Sequence, residues 1–286
     1  MYSVLSGFSG VGGLERGIEY AGLTDYFQVT QFIELNPYRR SVLQKHHSFT
    51  RIHDDIRTFK PDHRRWDIFA AGTPCPDISL ANPKRNGFDG ERSGLWWDWF
   101  KLIVECKPKF VIWENVGGAR YTANPHPING HSPLAATIGC FASLGYLCEW
   151  IVVPASDLGA PHKRERLFLI AYSNGTLTGE DLLQCPWSRQ VGDSIERTWD
   201  NSEGGDLNVS IPAMDAGLPF GLSRLSRGGW WKSNNPPQII STKSRSVQGR
   251  MQRVQAIGDS CTPQQSALCW ERIHYLRFQN HSQSRF

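Results

Sequence analysis

The 286-residue chain has no apolar run near the roughly 20 residues that a membrane-crossing helix needs. Its opening, Met1-Tyr2-Ser3-Val4-Leu5-Ser6, is too short and too uncharged to read as a secretory leader. It also lacks any C-x-x-C pair. Its 7 cysteines, an odd number, are scattered, which argues against a disulfide framework or a zinc site and for a reduced, intracellular protein with no metal. Internal repeats are absent. Charge of one sign is scarce: the net charge is +4, mild enough to permit a nucleic-acid partner without requiring one. A dinucleotide fingerprint of the G-x-G-x-x-G type is missing, which counts against a nicotinamide-dependent oxidoreductase. What remains is a soluble, globular composition, 40% hydrophobic and 20% charged, with 11 tryptophans.

Apolar runs of strand type alternate with helical patterns along the first part of the chain. Strands are expected over 2–5, 27–33, 67–71 and 109–113, with a late pair over 147–153 and 167–171. Helical spacing covers 14–21, 95–106 and 133–144, and returns over 263–277. Such alternation predicts an α/β sandwich around a mostly parallel sheet. After residue 171 the pattern weakens into Gly, Ser, Asn and Pro. Residues 172–215 carry eight acids against Arg189 and Arg197, whereas 216–255 carry Arg224, Arg227, Lys232, Lys243, Arg245, Arg250 and Arg253 and no acid. Three parts follow: a catalytic core over 1–171, an irregular insert over 172–245, and a segment over 246–286 that returns to the core.

Several segments carry chemistry. Phe8, Gly10, Gly12 and Gly13 lie in a loop between a first strand and a first helix, where glycine lets backbone approach a ligand closely. Glu34 stands at the end of the second strand, where a carboxylate can hold both ribose hydroxyls of a nucleoside; Asp55 stands where the next strand should end. In Gly72-Thr73-Pro74-Cys75-Pro76 a strand delivers a cysteine held between two prolines. Proline fixes its own backbone and restricts the residue before it, so Cys75 reads as a positioned nucleophile rather than an inert core thiol. Glu114-Asn115-Val116 ends another apolar strand. Arg164 and Arg166 alternate just ahead of the 167–171 strand, so both can point at one anion or base.

Phe8 to Gly13, Glu34-Leu35-Asn36-Pro37, Asp55-Ile56, Thr73-Pro74-Cys75-Pro76, Glu114-Asn115-Val116, Lys163-Arg164-Glu165-Arg166 and Gly258-Asp259-Ser260 occur in one order. Together they resemble the cytosine-C5 DNA methyltransferases, over about residues 1–171 and 248–278. The resemblance implies a Rossmann-like class I methyltransferase sheet with helices on both faces. It also implies S-adenosyl-L-methionine as methyl donor and double-stranded DNA as partner. Cys75 would attack C6 of a flipped cytosine, Glu114 would serve N3 and the exocyclic amine, and Arg166 with Arg164 would clamp the base. The donor site maps onto Phe8, Gly10, Gly12, Gly13, Glu34, Leu35, Asp55, Ile56, Gly72, Pro74, Asp259 and Ser260. Ser79 to Arg92, with Lys84 and Arg85, resembles the family's mobile loop that closes over DNA. A monomer in the cytoplasm, associated with the nucleoid of a prokaryote or phage and paired with a restriction endonuclease, fits the same resemblance.

Three residues depart from the family's pattern. Pro76 and His162 stand where glutamine is usual, and Asp259 where asparagine is usual, the last bearing on which sulfonium donor is used. A transfer-RNA methyltransferase on the same scaffold and a catalytically silent nucleic-acid-binding relative are the alternative readings. Specificity is expected in the insert, where Arg224, Arg227, Trp230, Trp231 and Lys232 form a basic, aromatic stretch suited to DNA.

Overall fold

The strands read as continuous apolar runs because both faces of the sheet they form are covered. The computed structural model describes residues 1–61, 66–73, 94–121, 132–160, 162–173, 175, 186–200 and 250–279. Strands β1 (Tyr2–Gly7), β2 (Phe27–Ile33), β3 (Arg51–His53), β4 (Ile68–Gly72), β5 (Phe110–Val116), β6 (Leu147–Pro154) and β7 (Glu165–Tyr172) make one sheet in the order β3-β2-β1-β4-β5-β7-β6. β1 to β5 run parallel, whereas β7 is antiparallel to both β5 and β6. The late strand pair is thus an antiparallel edge on a parallel body. The chain builds outward from β1 through β2 to β3, then returns to place β4 on the other side of β1. Ligands of open α/β sheets bind outside the strand ends at such a reversal.

Successive residues feed opposite faces. Val4, Ile68, Ala70, Phe110, Ile112, Phe168 and Ile170 join one core with residues of α1 (Arg16–Tyr20), α5 (Trp187–Asp200) and α7 (Pro263–His274). Leu5, Phe69, Ala71, Val111, Trp113, Leu167 and Leu169 join the other with Trp96, Trp99, Leu102 and Ile103 of α3 (Leu95–Cys106) and Phe141 of α4 (Pro133–Ser143). The α/β class and helices on both faces agree with the sequence reading. Among the described residues no helix is long and apolar enough to cross a membrane.

Three elements were not expected. α2 (Pro37–His46) buries only Leu43, too little for a periodic signal. Its start was nevertheless written locally, since the Asn36 side chain accepts from the backbone N–H of Tyr38 and Arg39 and Pro37 follows at the first helical position. α6 (Arg250–Asp259) precedes the expected C-terminal helix. Most informative is α5, inside the stretch read as irregular. Trp187 and Val191 are buried in the core, and Ile195 packs on it, at intervals of four residues that a Gly- and Ser-rich surrounding conceals. This part of the supposed insert belongs to the body.

The C-terminal helix binds the fold to its own beginning. Thr262 and Gln265 form a reciprocal capping box at the start of α7, with Pro263 at its first position. Ser266 Oγ donates to Gly13 O at 3.0 Å and Trp270 Nε1 to Leu14 O at 2.9 Å. A Cβ on Gly17 would lie 2.6 Å from the Ala267 backbone nitrogen, so glycine is what allows α1 and α7 to meet. Farther along α7, Arg272 is fully buried and makes a two-pronged pair with Glu149 of β6 at 2.9 and 2.8 Å; the Tyr172 hydroxyl donates to the same carboxylate. Removing one member leaves a charge without its counter-ion in a poorly solvated place. Arg272→Leu is expected to lower unfolding free energy by about 3–5 kcal/mol in a guanidinium titration; a loss under about 1 kcal/mol would show the pair to be solvated.

Candidate active site

The first loop is built by backbone geometry that few residues tolerate. Phe8, Gly10 and Gly12 have φ of 54°, 58° and 84°, in the left-handed region. Beneath it, Ser6 Oγ lies 2.8 Å from Ser9 Oγ and donates to the Glu15 carboxylate. Glu15 is buried, its second oxygen lacks a hydrogen-bond partner among the described residues, and burial pushes its carboxyl up to about 7 against the opposing Ser6 hydrogen bond. Phe8 leans edge-on toward Trp99, whose ring closes the space over Gly7.

Glu34 follows β2 and ties this loop to α2. One carboxylate oxygen accepts from Gly10 N–H and the other from Asn36 N–H, each at 2.8 Å. Burial moves the carboxyl above the ordinary range, with the two N–H groups and Arg39 and Arg40 acting against it. Leu35 is 58% exposed beside it. Asp55 lies two residues past β3, as expected, and holds Arg57 through both oxygens, which pulls its pKa down. Ile56 sits in the core near Phe59 and Trp66.

A second group of polar side chains gathers across β4, β5 and β7. Gly72 is in register with Glu114, and a Cβ on Gly72 would come within 2.8 Å of Glu114 Oε2. Thr73 Oγ1 accepts from Trp113 Nε1 at 2.8 Å and from Asn115 Nδ2 at 3.4 Å, which fixes the end of β4 against β5. Alternation then turns Glu114 away from that clasp. Arg166 pairs with Val116 across the sheet, two positions from Glu114's partner, so its Nε reaches Glu114 Oε1 at 2.8 Å, both side chains 10% exposed. Burial raises the Glu114 pKa, and this outweighs the charges of Arg166 and Arg164.

Arg164 acts on Glu114 through its charge, but its hydrogen bonds go elsewhere. It precedes β7 rather than alternating within it, and its φ of 26° swings the side chain toward the C-terminal segment. There Nη2 donates to Gly258 O at 2.6 Å and to Ser260 O, with Ile257 O at 3.4 Å. The two arginines thus make different hydrogen bonds: Arg166 to Glu114, and Arg164 to the carbonyls of Gly258 and Ser260. Asp259 pairs with Arg39 of α2, which neutralises the charge this position introduces. Ser260 Oγ lies where a Cβ on Gly13 would be, so this segment walls the first loop.

Pro74, Cys75, Ser79, Lys84, Arg85, Arg92, Arg224, Arg227, Trp230, Trp231 and Lys232 lie outside the described residues. Among the sites that are described, sequence reasoning missed Arg39, Thr73 and the support from Gln265, whose Nε2 donates to Val153 O and Arg164 O. The first two had no local signal; the Thr-Pro-x-Gln start of a helix was one for the third.

The chain is similar to three type II methyltransferases. M2.BsuMI of Bacillus subtilis is 33% identical over 174 residues, 59% of this chain and 41% of that protein. M.CviJI of Paramecium bursaria Chlorella virus IL3A is 30% identical over 59% of this chain and 43% of the other. M.NmeDI of Neisseria meningitidis is 29% identical over 73% of this chain and 53% of the other. The chain spans about half the length of these curated relatives. Among solved structures, the S. pombe Dnmt2 methyltransferase aligns at a TM-score of 0.48 and 19% identity, over 64% of this chain and 55% of that one. Residues 2–200 match the family model described as C-5 cytosine-specific DNA methylase. The chain belongs to the C-5 cytosine-specific DNA methylase family.

Proposed function

We propose that the chain transfers a methyl group from S-adenosyl-L-methionine to C5 of a cytosine extruded from double-stranded DNA. The observation that carries this reading is the buried Glu114–Arg166 pair at the sheet's ligand-binding edge, beside the strand that leads in sequence to Cys75. The type II names of the relatives support a companion restriction endonuclease.

The first loop fits the donor. A Cβ on Gly10 would project into open space, which is the cradle that a bound nucleoside would occupy. Each Glu34 oxygen uses one lone pair on a backbone N–H and keeps another for a ribose hydroxyl. Phe8, Gly10, Gly12, Gly13, Leu35, Asp55, Ile56, Gly72, Pro74, Asp259 and Ser260 would complete the holding surface. Bound there, the donor supplies an electrophilic methyl group toward C5. The remaining work falls to this chain. Cys75 as thiolate forms the S–C6 bond while Glu114, whose pKa burial raises, gives a proton to N3, so ring charge is neutralised as it forms. Arg166 orients Glu114 and balances the carboxylate left behind. Once C5 is alkylated its hydrogen leaves as a proton to water, the S–C6 electrons leave with Cys75, and the N3 proton returns to Glu114. Ser79, Lys84, Arg85 and Arg92, and Arg224, Arg227, Trp230, Trp231 and Lys232 of the insert, carry the side chains suited to phosphates and bases.

Bisulfite sequencing of plasmid from a host expressing the chain, beside assays on duplex DNA and transfer RNA, tests the substrate. Methylation of RNA alone would remove the DNA assignment. Cys75→Ala should abolish transfer and leave duplex binding within a few fold; DNA bearing 5-fluorocytosine should trap the unaltered enzyme covalently and not the variant. Glu114→Gln should slow turnover by about 10²–10⁴-fold. Activity that needs protonated Glu114 falls as pH rises through its pKa, which lies above the usual carboxylate range, and the Gln variant should lose that limb. Glu34→Ala should instead weaken donor binding with little change in turnover at saturating donor; equal effects of the two substitutions on donor affinity would contradict this map.

A further inference from the structure

We propose that Arg164 is a positioning residue for the donor site: it caps the C-terminal end of α6 from the base-side strand and thereby holds Ser260 against the first loop. This rests on the donor reading above and differs from the base-clamp role that the sequence implies.

Three observations converge. First, the last carbonyls of a helix have no partner within it and favour a cation. Arg164 Nη2 supplies both needs, donating to Gly258 O and Ser260 O with Ile257 O close by. Second, the main chain of Arg164 is committed to the same place. Its carbonyl accepts from Gln265 Nε2 at 2.9 Å and from Ala155 N–H at 3.3 Å. A left-handed φ at a non-glycine residue persists only where surroundings over-determine it, and these contacts do so. Third, the segment it grips is the wall of the first loop. Asp259 is held from the other side by Arg39, next to the Glu34–Asn36 hydrogen bond, and Ser260 Oγ fills the space over Gly13. Gly258-Asp259-Ser260 is thus held by Arg164 through the carbonyls at its two ends and by Arg39 through the Asp259 side chain between them. Arg166 alone, two residues on, meets Glu114.

The consequence is a division of labour between the paired arginines. Loss of Arg164 should loosen the wall and weaken the donor; loss of Arg166 should disturb the base group and spare the donor. Binding of S-adenosylmethionine and S-adenosylhomocysteine to the nucleic-acid-free full chain, measured by calorimetry for Arg164→Ala, Arg164→Lys and Arg166→Lys, separates them. Arg164→Ala should raise both dissociation constants about tenfold or more, the scale of a lost charge-assisted hydrogen bond, and Arg164→Lys should fall between. Hydrogen exchange over 257–262 in donor-free protein should quicken in both. Covalent trapping on 5-fluorocytosine DNA by both Arg164 variants should rise with donor concentration, whereas Arg166→Lys should trap poorly at any donor concentration and keep donor affinity within twofold of the unaltered chain. Should the alanine variant not fold, the lysine variant decides. Donor affinity and exchange within twofold of the unaltered chain, with trapping impaired, would overturn the proposal in favour of a base clamp. An unaltered chain that binds no donor would remove the functional reading instead, and exchange over 257–262 would still decide the cap.

Discussion

The close return of residues 258–266 onto the first loop is the constraint on which the rest of the molecule depends. Ser266 donates to Gly13 O, Ser260 Oγ fills the position of a Gly13 side chain, and α7 meets α1 at a glycine. Backbone must approach backbone here, so a side chain at Gly13 or Gly17 would force helix or loop apart. The same contact brings Gly258-Asp259-Ser260 within reach of Arg164 before β7 and Arg39 in α2. Without it, the loop that follows β1 would have a floor and no wall.

A second constraint is electrostatic. Glu114 and Arg166 are nearly withdrawn from water at the end of the sheet. Their attraction favours the carboxylate, yet burial dominates and holds the carboxyl above its usual range. Removing charge from water is costly enough that even a well-placed guanidinium offsets it only partly. The result is an acid whose neutral form burial favours, with a cation beside it that balances its anion. Register achieves this: Arg166 opposes Val116, and one residue of slip on β7 would turn its side chain to the other face.

Burial also sorts the other acids. Asp55 is held down by its two-pronged contact with exposed Arg57, while burial pushes Glu15, one of whose oxygens lacks a partner among the described residues, up to about 7. Neither has the pKa of a free carboxylate. Arg57, which lowers the Asp55 pKa, is two residues away in sequence, whereas the burial that raises Glu15 comes from the packing of the fold.

The alternation of apolar runs by itself determined the class of fold, and helix spacing over 95–106 matched α3, Leu95–Cys106, without adjustment. The apolar pattern put Glu34 and Asp55 at strand ends, and they follow β2 and β3, whereas Glu114 lies within β5, which runs on to Val116. α5 was not legible, since three apolar residues at intervals of four become a face only when the core supplies something to cover. Nor was the parting of Arg164 and Arg166. Alternation on a strand argues that they point together, but Arg164 lies just before the strand, and the carbonyls that claim it come from 93 to 96 residues farther along the chain. Sequence spacing fixes which side chains a local element can present. Which partner each one meets was decided by the tertiary return of α6 and α7, because a hydrogen bond to a distant carbonyl leaves no local pattern.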